Sequence, residues 1–256
     1  MQKLKIIVVM PAYNAAATLD RTIADIPAGI VDEIILVDDD SQDNTVAVAK
    51  KLGLTVFYHK KNRGYGGNQK TCYKKALQQG ADIVIMLHPD YQYDSTQIGE
   101  LIRPLIKGKA EIVFGSRIRT KKEALDGGMP YIKYLLNRVF CLIENLILEV
   151  NFSEHFSGFR AYSKDVLIKL PIESFSDDFV FDQQLMISAI AYGYNVGEVP
   201  VPVRYFHEAS SIKLIRGAKF LLQTLFTLFL YILFRLKIYK SQIFQYKTNS
   251  ERRDIN

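Results

Sequence analysis

Only two cysteines occur in 256 residues, Cys72 and Cys141, far apart and in no CxxC spacing. A disulfide framework and a thiolate zinc site are therefore not expected, and a reducing, cytosolic setting is the default. The opening residues run straight into a strand-like stretch, with no basic segment, apolar segment and small-residue cleavage site in succession. A secreted product is not expected. Low-complexity tracts and internal repeats are also missing, and no unbroken apolar run reaches the ~20 residues of a membrane-crossing helix.

What is present is 48% apolar residues, enough for one sizeable core or a core domain with an appendage. The formal net charge of +6 is compatible with nucleic acid, an anionic membrane surface or a phosphorylated ligand. Lys3, Lys5, Lys60, Lys61, Lys121 and Lys122 are scattered instead of being gathered with stacking aromatics, so nucleic acid is not an expected partner. Lys70, Lys74 and Lys75 read as a solvated helix face, while Tyr91 and Tyr93 either stack on a base or are buried.

Short, β-branched apolar runs at 4–9, 33–37, 54–58, 83–87 and 112–114 alternate with helix-like stretches. That order predicts an α/β fold with a mostly parallel sheet covered on both faces. In such sheets ligands bind beyond the carboxyl ends of the strands. Polar and special residues follow every one of these runs: Pro11-Ala12-Tyr13-Asn14, Asp38-Asp39-Asp40-Ser41, Asn62-Arg63-Gly64, His88-Pro89-Asp90 and Gly115-Ser116-Arg117.

Further on, 131–148 reads as a helix with a very broad apolar face, its polar stripe formed by Lys133, Asn137 and Glu144 and widened by Arg138 and Asn145. Another helix is predicted over 214–238, where Arg216, Lys219, Gln223 and Thr227 share a face and basic residues flank both ends. Its uninterrupted apolar part, 220–234, rises only about 22 Å, short of a ~30 Å hydrocarbon core. A helix lying in a membrane interface is expected, the alternative being a helix docked on the protein's own core. The tail, 248–256, is polar and expected to fray.

Mg²⁺ and Mn²⁺ commonly bind through one or two carboxylates plus substrate phosphates, which Asp90 and a nucleotide diphosphate would provide. Breaking a sugar–diphosphate bond leaves charge that a metal or cationic donors must stabilise, and Arg117 and Lys213 are candidates. Glu154 and Asp182 are candidate bases for a hydroxyl acceptor, whereas a lipid phosphate would need none. Asp182 reads equally as an ordinary acid in the first turn of a helix. Asp177 and Asp178 read as helix caps.

These stretches resemble a known family. Val8-Val9-Met10-Pro11-Ala12-Tyr13-Asn14, Val37-Asp38-Asp39-Asp40-Ser41-Gln42-Asp43-Asn44-Thr45, Asn62-Arg63-Gly64 and His88-Pro89-Asp90-Tyr91-Gln92-Tyr93 are similar to the motifs of family 2 glycosyltransferases. Gly115-Ser116-Arg117, Ser157-Gly158-Phe159-Arg160 and Glu198-Val199-Pro200-Val201 are similar to segments of its polyprenyl-phosphate sugar synthases. The resemblance, over about residues 4 to 213, implies the GT-A fold and transfer of a sugar from a nucleotide diphosphate sugar. The implied acceptor is a polyprenyl phosphate or membrane-linked glycan, at the cytoplasmic face of a membrane. It implies that Pro11, Tyr13, Asp38, Asp39, Gly64 and Lys213 hold the donor, that Asp90 and Gln92 face a divalent metal, Mg²⁺ or Mn²⁺, and that Arg117 reaches the diphosphate or the acceptor. The chain departs from the family at His88, which replaces the first acid of DxD and remains a possible metal ligand, and at Ala15.

The expected organisation is a catalytic domain over 1–211, with a nucleotide-sugar half to about 118 and an acceptor half from 119. A membrane-associating helix over 212–241 and a polar tail over 242–256 follow. The alternatives are a non-catalytic nucleotide-sugar-binding membrane protein and a nucleotidyltransferase. The second conflicts with a first loop that lacks a glycine-rich, basic phosphate cradle.

Overall fold

Alternate residues of the central strand are buried on opposite sides: Ile7 and Val9 enter one hydrophobic cluster, Val8 and Met10 another. The same division holds in the neighbouring strands, as expected when both faces of a sheet are covered by helices. The computed structural model describes residues 3–118, 121–126, 128–202, 204 and 214–246.

The first half runs β1 (Ile6–Ala12), α1 (Leu19–Ala24), β2 (Glu33–Asp38), α2 (Thr45–Lys51), β3 (Thr55–Tyr58), α3 (Gly64–Gln78), β4 (Ile83–Met86), α4 (Ile98–Ile106) and β5 (Ile112–Ser116). After it come α5 (Lys121–Asp126), α6 (Tyr131–Leu148), β6 (Arg160–Ser163), α7 (Lys164–Lys169), α8 (Phe181–Ala191), β7 (Val196–Pro200) and α9 (Leu214–Arg235). One sheet of seven strands has the order β3-β2-β1-β4-β6-β5-β7, parallel except for β6, which is antiparallel to both β4 and β5. The five expected strands form within a few residues of their predicted bounds. The sequence reading has no β6 or β7, because Arg160-Ala161-Tyr162-Ser163 lacks an apolar run and Val196–Pro200 is broken by Gly197 and Glu198.

Chain order reverses between β1 and β4, the position in an open α/β sheet where a ligand crevice forms. The ladder between them ends at Val9–Met86, with the Leu87 N–H donating to the Val9 carbonyl. Pro11, two residues on, faces the same side, where pairing has ceased, so its missing donor costs nothing.

Part of the polar stripe of each long helix faces inward, while Lys133, Arg216 and Lys219 stay exposed. On α6 the buried positions include Asn137, Cys141 and Glu144, while Ile132, Leu142 and Leu146 are 72%, 68% and 79% exposed. On α9, Thr224, Thr227, Leu228 and Tyr231 are buried and Leu222, Phe226 and Phe229 are exposed. The 214–238 expectation thus resolves into a helix docked along one face and apolar on the other. Lys213 and the tail 248–256 lie outside the described residues.

Lys70 corrects the expected solvated face: it is buried, and its ammonium meets the Glu173 and Phe175 carbonyls and Asp177 Oδ1 at 3.2, 2.5 and 2.8 Å. The start of α3 presses so closely on this segment that a Cβ on Gly66 would lie 2.3 Å from the Ser176 carbonyl oxygen. Asp177 is therefore Lys70's partner and not a cap. Asp178 accepts from the Phe179 N–H at 2.8 Å, ahead of a helix whose N-cap, Val180, has no side-chain cap bond.

Candidate active site

Four parallel strand ends, together with the start of antiparallel β6, bring the predicted residues to one edge of the sheet. Tyr13 follows β1 and is 56% exposed, Asp38 and Asp39 close β2, His88 to Gln92 follow β4, and Arg117 follows β5. Asp39 and Arg117 stand four strand spacings apart, about 19 Å, with Asp90 between them. The predicted residues thus form one row along the edge, with two ends and a middle.

At the first end, Asp39 is buried and saturated by protein donors. Its Oδ1 accepts from the Arg63 N–H at 2.9 Å and lies 2.7 Å from His59 Nδ1, and its Oδ2 accepts from the Gly64 N–H at 3.0 Å. Gly64 has φ +83 and its absent Cβ would sit 2.8 Å from the Asp177 carbonyl oxygen, so glycine is required there twice over. Asp39 and Gly64 thus shape the loop with the groups they were expected to offer a ligand. Asp38 differs: Oδ2 accepts from the Ser41 N–H at 3.0 Å, and Oδ1 is buried without a protein partner.

In the middle, Asp90 Oδ1 accepts from the Gln92 N–H at 3.1 Å, which turns the chain under the strand end. Tyr91 adopts φ +59, unusual for a bulky residue, with the guanidinium groups of Arg21 and Arg204 over its ring at 5.2 and 4.3 Å. Tyr93 is buried, and its hydroxyl accepts from the Gly158 N–H at 2.8 Å. Of the two alternatives for these tyrosines, burial holds for Tyr93.

His88 stacks on Tyr65 at 5.4 Å, and Tyr65 donates its hydroxyl to Asp182 Oδ2 at 2.7 Å. Burial, followed by the charge of Asp182, pushes the Tyr65 phenol well above its usual range, so it remains a donor. Tyr65 is absent from the sequence-predicted set, although an aromatic flanked by Gly64, Gly66 and Gly67 at a helix start signals close packing. Asp182 lies in the first turn of α8, 7% exposed, with Oδ1 unpartnered.

At the far end, Glu154 is fully buried against Arg117 and Asn137. Burial pushes its carboxyl up, but the charge and hydrogen bonds of Arg117 outweigh this and hold it below the ordinary range. The expected base at this position is therefore a buried counter-ion with no surface toward a substrate. Lys133, on the exposed side of α6, has its pKa lowered by partial desolvation and then by the neighbouring charge of Arg117. Arg160, also buried, donates to the carbonyls of Ser157, Asp182 and His155 at 2.6, 3.0 and 3.1 Å, joining this loop to α8.

Among the described residues no group of three or more His, Cys, Asp or Glu side chains forms a metal cage. Asp90, with the Gln92 amide and the His88 ring nearby in sequence, fits a hard cation only if substrate phosphates complete its shell, as is usual for Mg²⁺ sites.

Comparison with known proteins bears on the family and the fold. The sequence model of glycosyl transferase family 2 matches residues 7–170. A UDP-N-acetylglucosamine–dolichyl-phosphate N-acetylglucosaminyltransferase of Methanococcus voltae is 30% identical over 217 residues, covering 78% of this chain and 86% of the relative. A polyprenol monophosphomannose synthase of Mycolicibacterium smegmatis is 25% identical, with 76% of each chain covered. Among solved structures, glucosyl-3-phosphoglycerate synthase of Mycobacterium tuberculosis in complex with UDP superposes with a TM-score of 0.70 at 23% identity, over 93% of this chain and 82% of that one. That likeness carries the fold.

Proposed function

The chain belongs to glycosyl transferase family 2, and from that premise we propose that it transfers a sugar from a uridine diphosphate sugar to a polyprenyl phosphate at the cytoplasmic face of a membrane. It is a glycosyltransferase with the mixed α/β fold of its structural neighbours. The observation that carries the acceptor is the row of large apolar side chains that α6 and α9 leave exposed, α6 carrying Lys133 within reach of the Arg117 charge. A lipid phosphate placed against those cations would leave its chain along the apolar surface.

Both ends of the row then have work to do. Tyr13, exposed beyond β1, suits the base, and Asp90 with Gln92 suits the diphosphate. A bound Mg²⁺ or Mn²⁺ would neutralise the charge developing on the leaving diphosphate. Arg117, about two strand spacings or ~10 Å from β4, suits the acceptor better than the nucleotide. An anionic phosphate needs no proton removed before it attacks, consistent with Glu154 being a counter-ion and Asp182 a partner of Tyr65.

At 22 residues α9 is about 33 Å long, enough to cross a bilayer, but its buried face is packed on the domain. A crossing helix would drag that domain into lipid, so α9 lies in the interface with α6. The two cysteines, buried and unpaired, are in keeping with a reducing compartment.

The test is turnover of UDP-N-acetylglucosamine, the donor in the name of the Methanococcus voltae relative, with polyprenyl phosphate as acceptor. UDP release and labelled lipid are expected, and both should vanish in Asp90→Ala. Unchanged turnover in that variant refutes the assignment of the site, label on a soluble glycan alone moves the acceptor, and pyrophosphate release restores nucleotidyl transfer.

A further inference from the structure

Three side chains from separate elements meet beneath the loop after β4. The Tyr65 oxygen lies 2.7 Å from Asp182 Oδ2 and 3.1 Å from His88 Nε2. A phenol has one proton to donate, and the carboxylate, which has none, receives it. The lone pairs remaining on that oxygen face Nε2, so the imidazole must bring the N–H to this contact. A neutral imidazole carrying its proton on Nε2 has an acceptor at Nδ1.

Packing fixes which edge of the ring stays open. A Cβ on Gly158 would lie 2.9 Å from both Cδ2 and Nε2 of His88, so that edge is enclosed by Gly158 and Tyr65. The Nδ1–Cε1 edge is the one these two residues leave uncovered. Tyr65 is held in turn by Phe179 at 4.8 Å between ring centroids, and the Asp182 carbonyl by Arg160 Nη1 at 3.0 Å.

We propose that Asp182 and Tyr65 are positioning residues that lock His88 in its Nε2–H tautomer, so that the ring offers an imidazole Nδ1 to the donor's cation. This rests on the nucleotide-sugar reading above. Metal-bound histidines generally donate their second ring N–H to a carboxylate or another fixed acceptor, and the Tyr65–Asp182 chain supplies that support. One carboxylate, one amide oxygen and one imidazole nitrogen form a softer, less anionic set than two carboxylates. Such a set favours Mn²⁺ over Mg²⁺.

The tautomer is read on the full chain, without nucleotide, by two-bond ¹H–¹⁵N correlation after histidine labelling, with His88→Gln assigning the signal. A pyrrole-like Nε2 and pyridine-like Nδ1 are expected, and the reverse pattern overturns the relay. Calorimetry with UDP and Mn²⁺ or Mg²⁺ reads the second half. Tyr65→Phe should weaken UDP binding with Mn²⁺ by roughly 10–100-fold, the usual cost of losing such support, with little effect on binding without metal. His88→Asp should shift the preference toward Mg²⁺. Asp182→Asn, which keeps the shape, serves if Tyr65→Phe lowers stability. Wild-type affinity for Mn²⁺ with UDP in both relay variants overturns the proposal. Failure of the wild type to bind UDP with either metal overturns the nucleotide-sugar reading instead, while the tautomer still decides the relay.

Discussion

Glu154 closes on Arg117 twice, accepting the backbone N–H on Oε2 and the guanidinium Nε on Oε1, each at 2.8 Å. The pair stands at the end of β5, one side chain 8% and the other 0% exposed, so solvent screens it little. Its geometry makes the orientation of Arg117 depend on a residue that touches no substrate.

Removing Glu154 should therefore cost stability and acceptor use together. Glu154→Ala removes the buried carboxylate from this pair, a loss of about 3–5 kcal/mol in urea unfolding. Glu154→Gln keeps the shape but not the charge, and is expected to raise the acceptor KM while donor affinity stays near wild type. An unfolding midpoint equal to wild type in Glu154→Ala would show that the pair contributes nothing.

The neighbouring residue gives a pH dependence. His155 and Glu144 are buried and in ion-pair contact at 3.1 Å, and His155 Nε2 lies 2.8 Å from Asn145 Oδ1. Burial opposes the charged ring, but contacts with Cys141 and Glu144 outweigh it and raise the His155 pKa from 6.5 to about 9. A raised folded-state value means that the native protein binds the proton more tightly than the unfolded chain. The stabilisation is complete below pH 6.5 and is lost as pH rises to about 9, at most roughly 3 kcal/mol. Thermal melts across that window should fall for wild type and flatten for His155→Gln. Parallel slopes for the two proteins would remove this pair as the cause.

The alternation of short apolar runs with helical stretches makes β1 to β5 readable without coordinates, because buried parallel strands need little but β-branched side chains. The strand-end residues follow from the same logic, as that edge is where such sheets bind ligands. What the chain does not announce is the partner of each polar residue. Lys70 resembles a surface lysine until the 173–177 segment closes over it, and Glu154 resembles a base until Arg117 takes both its oxygens. Tyr65 contacts His88 and Asp182, 23 and 117 residues away, a relation that no local spacing encodes.

The broad apolar face of α6 is legible as periodicity, but its direction is not. A helix in a soluble protein turns that face to the core, whereas here Asn137, Cys141 and Glu144 occupy the inside and Leu142 and Leu146 the outside. Lys237 and Lys240, both exposed just beyond α9, would sit near the headgroups of an anionic bilayer. Each large apolar side chain entering acyl chains contributes about 1.5–3 kcal/mol, so Leu142→Glu with Leu146→Glu should weaken binding to vesicles containing anionic lipid by at least roughly a hundredfold. Because neither side chain packs on the domain, unfolding free energy should change by no more than about 0.5 kcal/mol per site. Phe226→Glu on α9, 60% exposed, should act in the same direction, and raised salt should weaken the wild type through screening of the basic flank. Vesicle flotation decides it: retention of the double variant with lipid at wild-type levels would mean that these faces meet something other than a membrane.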